Sequence, residues 1–264
     1  MLKSLYTTAT GMKAQQTMVD MIANNIANVN TSGFKKSQAS FEDLFYVTLQ
    51  SPGLATGAGG DAVPIGTQIG SGTRLNGTTK VFTTGTLEIT ERSLDVAIDG
   101  DGFFSVILPD GGIGYTRDDN FHLNAEGKLV TTAGNVLTPE IVVPSDLLEI
   151  SIDPEGRVSG RTAGSPDTNT NFGQLNIQRF VNPSGMLAAG ANVMRQTEAS
   201  GPPTIGTPGS NGLGLLKQGF VERSNVQIVN ELVNLIVAQR AYEVNSRAIQ
   251  ASDQMLSTAT NLSR

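Results

Sequence analysis

Apolar positions recur every seven residues near the N-terminus, where Leu5, Met12, Val19 and Ile26 form one line. Leu2, Ala9, Gln16 and Ala23 run beside them, three residues earlier in each repeat. This heptad-like seam predicts an amphipathic helix over residues 1–30 with one polar interruption at Gln16. The cluster Asn28-Val29-Asn30-Thr31-Ser32-Gly33 is rich in turn formers and ends the helix. A second seam, Ile228, Leu235, Tyr242, Ile249 and Leu256, predicts a helix over residues 225–264. Ala238, Ser252 and Ala259 fall on its side and permit close helix–helix approach. Ser224 and Gln227 have the spacing of a capping box at its start. Periodicity alone fits two ordinary amphipathic helices as well as a pair that closes the chain on itself. Placement at opposite ends favours the pair, which leaves apolar surface for neighbouring copies.

The pattern between the seams is different. Val96 and Ile98 precede Gly100-Asp101-Gly102, and Phe103, Phe104, Val106 and Ile107 follow, which reads as strand, turn, strand. Asn124–Gly127 and Asp153–Gly156 are further turns, each followed by a short strand. Residues 95–180 therefore read as an outer antiparallel β domain. Residues 31–94 and 181–224 read as a linking region. Within it, Phe41, Leu44, Phe45 and Leu49 suggest a short helical or extended stretch. Residues 46–72, with Val63, Ile65 and Ile69 between small or turn residues, suggest an extended hairpin. The fold class predicted is α+β: paired terminal helices, coiled-coil-like, around a central antiparallel β-rich module.

Composition sharpens this picture. Only 16% of the 264 residues are charged, while glycine numbers 30. Polar, uncharged surface of this kind suits contact with other protein. The net charge is −6, yet residues 1–34 carry only Lys3, Lys13 and Asp20. The middle of the chain thus holds the acidic excess. Basic residues are scattered, so a nucleic-acid footprint is missing. Without cysteine there are no disulfides or thiolate metal sites. No apolar run reaches the ~18 residues that span a bilayer. The N-terminus lacks the pattern of a cleavable signal peptide, so export, if it occurs, is expected not to use one.

Candidate chemistry is sparse. His122 is the single histidine and sits in an alternating stretch, where a strand-face role outweighs a catalytic one. Asp99, Asp101, Asp118 and Asp119 form the best acidic cluster. Paired carboxylates can do acid/base work or bind calcium, but Asp99-Gly-Asp-Gly102 lacks the spaced ligands of an EF-hand loop. Asx turns account for aspartate at such positions. No phosphate-binding loop or nucleophile elbow occurs. No catalytic, cofactor or metal residue is assigned, and an enzyme is not expected.

Residues 23–35, with Asn24, Asn25, Asn28, Asn30, Gly33 and Phe34, resemble the N-terminal signature of the flagellar rod and hook family. The stretch from Gly219 to Leu256 resembles its C-terminal partner, including Val221-Glu222, Ser224-Asn225-Val226 and Gln239-Arg240-Ala241-Tyr242-Glu243. Asp95–Ile98, Gly102-Phe103-Phe104 and Tyr115-Thr116-Arg117-Asp118 are similar to the family's β module. Length, and the extra segment after Phe41-Glu42-Asp43-Leu44, resemble the distal-rod members, with proximal-rod members as the alternative. A secreted β-rich binding protein is the alternative from another class. The resemblance implies export through the flagellar type III apparatus and self-assembly into a stiff, torque-transmitting tube in the periplasm. The terminal helices would line the export channel and the β domain would face the surrounding rings. Proximal rod proteins, the hook protein and its junction, and ring proteins would be its other partners. Residues 46–72 are expected to stiffen the tube.

Overall fold

The computed structural model describes residues 2–51 and 65–262. The chain divides into two units. Unit 1 comprises Met1–Ile26, Ser37–Thr79 and Ile228–Arg264; unit 2 comprises Ala27–Lys36 and Lys80–Gln227.

Unit 1 holds two long helices, α1 (Leu2–Ala27) and α2 (Ile228–Leu262), packed together. Two contacts give their register. Ser4 Oγ lies 3.5 Å from Ser252 Oγ. A Cβ added to Gly11 would sit 3.1 Å from Asn245 Nδ2. Seven residues forward on α1 therefore match seven backward on α2, so the helices run antiparallel in heptad register. Continuing that register brings Met18 to Ala238 and Asn25 to Glu231. Asn25, Glu231, Ala238 and Ser252 are all buried. The closest line of the pair is thus small or polar except at Met18, which meets the small Ala238, and this lets the backbones approach. A bulky residue there must push the helices apart. Gly11→Leu is expected to cost about 1–3 kcal/mol by overpacking, read as a lower melting point of the helical circular-dichroism signal.

Strand Ser37–Asp43 pairs with Thr73–Lys80, and Tyr46–Gln50 pairs with Thr67–Gly70. The hairpin expected at 46–72 is present in its stem, and the Phe41–Leu49 stretch is extended rather than helical. Val63, Pro52, Pro64 and the 54–62 stretch lie outside the described residues. The stem rests on α1: Lys3 Nζ donates to Ile69 O at 2.8 Å, and Thr73 N–H donates to Thr10 Oγ1 at 3.3 Å. At Gly72 (φ +113°) a Cβ would lie 2.2 Å from Thr10 Oγ1, so only glycine fits against the helix there.

Unit 2 is antiparallel β structure. Its largest sheet has seven strands, in the order Leu187–Gly190, Val193–Arg195, Ile113–Thr116, Phe104–Ile107, Val136–Thr138, Leu129–Thr131 and Phe121–Leu123. Leu147–Ile152, Arg157–Thr162 and Ser165–Gln174 form a three-stranded sheet. Phe103 and Phe104 show the period-two alternation of strands. Phe104 enters the main core and meets Phe121 edge-on at 5.0 Å. Phe103 faces a second cluster with Tyr115, Phe180 and Met194.

The turns at Asn124–Gly127 and Asp153–Gly156 form as expected, with Gly127 N–H on Asn124 O at 3.0 Å and Gly156 N–H on Asp153 O at 2.8 Å. The strand, turn, strand order around Gly100-Asp101-Gly102 is present, but its two strands do not pair with each other. Val96–Asp99 pairs with Leu215–Gln218, while Phe104–Ile107 joins the large sheet, so this turn passes between sheets. Phe103 exchanges backbone bonds with Gln178 instead, at 2.8 and 2.9 Å. Residues 80–94 and 181–224, read from sequence as linking region, fall in unit 2 with the strands of 95–180. Among the described residues no helix is long and apolar enough to cross a membrane.

Candidate assembly site

On α2, Leu235, Ile249 and Leu256 are half-buried, whereas Ile228 and Tyr242 are 47% and 44% exposed. On α1, Leu5, Met12, Val19 and Ile26 are all half-buried. They lie one position beyond the closest line of Ser4, Gly11, Met18 and Asn25. The companion line expected at Ala9, Gln16 and Ala23 turns outward. Close backbone approach at Gly11 and Ala238 shifts the seam to the small residues and leaves the larger ones at its flank.

Among the described residues, a second face of α2 is left uncovered. Val229, Val233, Ile236, Val237 and Val244 are each more than half exposed. The hairpin stem adds Phe45, Tyr46 and Leu49, with Phe45 91% exposed. Gln239 and Arg240 are also exposed, and Arg240 reaches Glu243 at 3.7 Å. Ala241 is half-buried.

Of the asparagines in the N-terminal signature, Asn25 serves the backbone. Asn25 donates through Nδ2 to Ser37 O (3.0 Å) and accepts Ser37 N–H through Oδ1 (2.9 Å). Its amide thus stands in for a strand neighbour where the chain enters the first strand of unit 1. Asn24 is exposed on the same helix. Asn28 Oδ1 accepts the Thr31 hydroxyl at 3.2 Å, and Asn30 Oδ1 accepts from Arg223 at 3.4 Å. Phe34 is buried under Lys80, whose Nζ lies 4.9 Å from the ring centroid.

Unit 2 buries an ionic junction that the sequence reading did not assemble. Glu222, 1% exposed, accepts Lys35 Nζ (2.6 Å) and Gly85 N–H (2.7 Å) on Oε1. Its Oε2 accepts Arg117 Nε–H at 3.0 Å and lies 2.9 Å from Nη2 in an ion pair. Arg117 also donates to Gly100 O, Gly102 O and Ile98 O, at 2.8, 2.9 and 3.3 Å, so every guanidinium N–H direction is engaged. Gly33 N–H donates to Glu222 O at 2.8 Å. Asn225 clasps the same region, accepting Lys36 N–H at 2.8 Å and donating to Val81 O at 2.8 Å. Burial alone would raise the Glu222 carboxyl, but Arg117 and Lys35 outweigh it and hold it below the usual range. Desolvation, with Arg117 alongside, lowers the Lys35 ammonium despite Glu222.

The acidic cluster separates. Asp99 and Asp101 are exposed and pair with Lys217 (2.7 Å) and Arg179 (3.6 Å). Asp118 is half-buried and Asp119 buried. His122 is exposed on its strand, with Arg92 3.2 Å from Nδ1. Among the described residues no three His, Cys, Asp or Glu gather to hold a metal. Ser224, expected to cap α2, lies short of it and instead accepts Val226 N–H at 3.3 Å. It closes a local turn.

Three family profiles cover much of the chain. Residues 5–35 match "Flagella basal body rod protein", 97–160 match "Flagellar hook protein FlgE/F/G D1 domain", and 217–262 match "Flagellar basal body rod FlgEFG protein C-terminal". The flagellar basal-body rod protein FlgG of Borreliella burgdorferi is 47% identical over the full length of both chains. The Bacillus subtilis protein of the same name is 40% identical, also over both full lengths. The flagellar hook protein FlgE of Helicobacter mustelae matches at 45% over 52% of this chain and 30% of its own. The chain belongs to the FlgG family of flagellar basal-body rod proteins, non-enzymatic structural subunits of the distal rod.

Proposed function

We propose that this chain polymerises with copies of itself into a stiff helical tube that carries torque from motor to hook and encloses the export channel. Family membership implies assembly into a rod polymer. The uncovered apolar face of α2 is the observation that carries the finer reading. Several aliphatic side chains lie open on one helix face, unshielded among the described residues. A contact between copies that does not close on itself gives an open helical filament.

Residues 1–30 and 225–264 serve in this reading as the helical assembly domain, with the flanking Leu5, Met12, Val19, Ile26, Leu235, Ile249 and Leu256 finishing their burial between copies. Residues 95–180 form the outer domain and 46–72 add stiffening contacts. Proximal rod proteins, the hook protein and its junction, the surrounding ring proteins and the type III export apparatus complete the set of partners. The polymer stands in the periplasm.

Val233→Glu combined with Val237→Lys tests the α2 face. Glu four residues before Lys favours the helix by a few tenths of a kcal/mol, so the monomer fold should be unaffected. The expected result is a folded protein that sediments as a monomer under conditions where the parent chain forms large assemblies. Unchanged assembly of the variant would remove this face from the interface.

A further inference from the structure

Asp119 stands apart from the rest of the junction. It is 1% exposed, yet among the described residues no cation pairs with it. Its Oδ2 accepts the Glu222 backbone N–H, and its Oδ1 has no hydrogen-bond partner. The nearby cations are already committed. Arg117 serves Glu222 and three carbonyls, and Lys35 serves Glu222 and Thr83 O (2.8 Å).

The other groups around it do not help hold a charge. Asp118 beside it and Glu222 across from it are carboxyls. Asp95 is adjacent through Val96 N–H, which donates to Asp119 O at 3.0 Å. Arg92 approaches Asp95 at 3.6 Å and also reaches His122, the neighbour of Asp118. A buried, unpaired, charged oxygen is far costlier than a neutral hydroxyl.

We propose that this cluster is a proton-dependent latch: unit 2 closes around Lys35, Arg117 and Glu222 with one proton held on the Asp119 carboxyl, and its hold loosens when that proton leaves. Desolvation is the main cause that raises Asp119 to about 7, with Asp118 and Glu222 adding to it against the backbone bond from Glu222. The folded-state value lies above the unfolded one, so folding takes up a proton. The stabilisation is complete below the unfolded value near 4 and is lost as pH rises through about 7. Glu222, held low, acts with the opposite sign at the acid end. Lys35, also lowered, makes stability rise with pH on the alkaline side.

The test compares urea unfolding of the full-length chain and Asp119→Asn between about pH 5 and 8. Asparagine keeps an acceptor for the Glu222 N–H and removes the titration. The parent's unfolding constant, relative to that of the variant, should grow up to about tenfold per pH unit below about pH 7 and flatten above it. A ratio that does not change with pH overturns the latch. If the variant fails to fold, carbon-13 NMR titration of the Asp119 carboxyl in the parent decides. A midpoint near neutrality supports the proposal, and one in the ordinary carboxylate range overturns it.

Discussion

Replacing Glu222 by alanine is expected to cost about 3–5 kcal/mol, because it leaves two buried cations without their counter-charge. Lys35 and Arg117 are only 2% and 4% exposed at the side chain, and both aim at this one carboxylate. Neither can swing to water without disturbing the carbonyls it also serves. Domains of ordinary size are stable by about 5–15 kcal/mol, so the single change removes a large share. The comparison with a triple replacement makes the test specific. Lys35→Met, Arg117→Met and Glu222→Met together should recover much of the loss, since a packed apolar core can match a buried ion cluster. Chemical denaturation of the three proteins checks this. A Glu222→Ala loss below about 1 kcal/mol would mean that water reaches the site.

The second large effect is expected at Gly33. Its φ is +67°, in the left-handed region. That conformation costs an alanine about 1–2 kcal/mol. Space is a separate obstacle, since a Cβ would lie 2.4 Å from the Arg117 carbonyl oxygen. Moving that carbonyl shifts the residue that holds Glu222. Overpacking of this kind adds about 1–3 kcal/mol, giving a total of about 2–5 kcal/mol for Gly33→Ala. Gly111 provides the control. It has φ +79° but nothing within 4 Å of an added Cβ, so Gly111→Ala should show only the conformational part. Equal losses at the two sites would mean that the Arg117 contact yields freely.

Much of the architecture could be read from periodicity. Seven-residue spacing located both helices, and turn formers located the ends of α1 and several strands. The exact seam was harder. The small Ala238 and Ser252 on α2 were legible as positions of close approach, but spacing marked the large apolar residues of α1 and not Ser4 and Gly11, which face them. The strands on either side of Gly100–Gly102 were legible but their pairing was not, because strand partners far apart in sequence leave no local mark. The junction was the least legible part. Lys35, Arg117 and Glu222 each lie in a short stretch that carried the family resemblance, but nothing in one dimension says that they share a carboxylate. Their signal was being charged within a charge-poor chain. Asp119 was noted as one of four acidic residues, yet its burial separates it from Asp99 and Asp101.

Electron cryo-microscopy of assemblies grown from the full-length chain tests the central claim most directly. The account predicts helical tubes in which Val229, Val233, Ile236 and Val237 are covered by a neighbouring copy. Tubes that leave this α2 face in water, or a monomer that persists at every concentration, would contradict it.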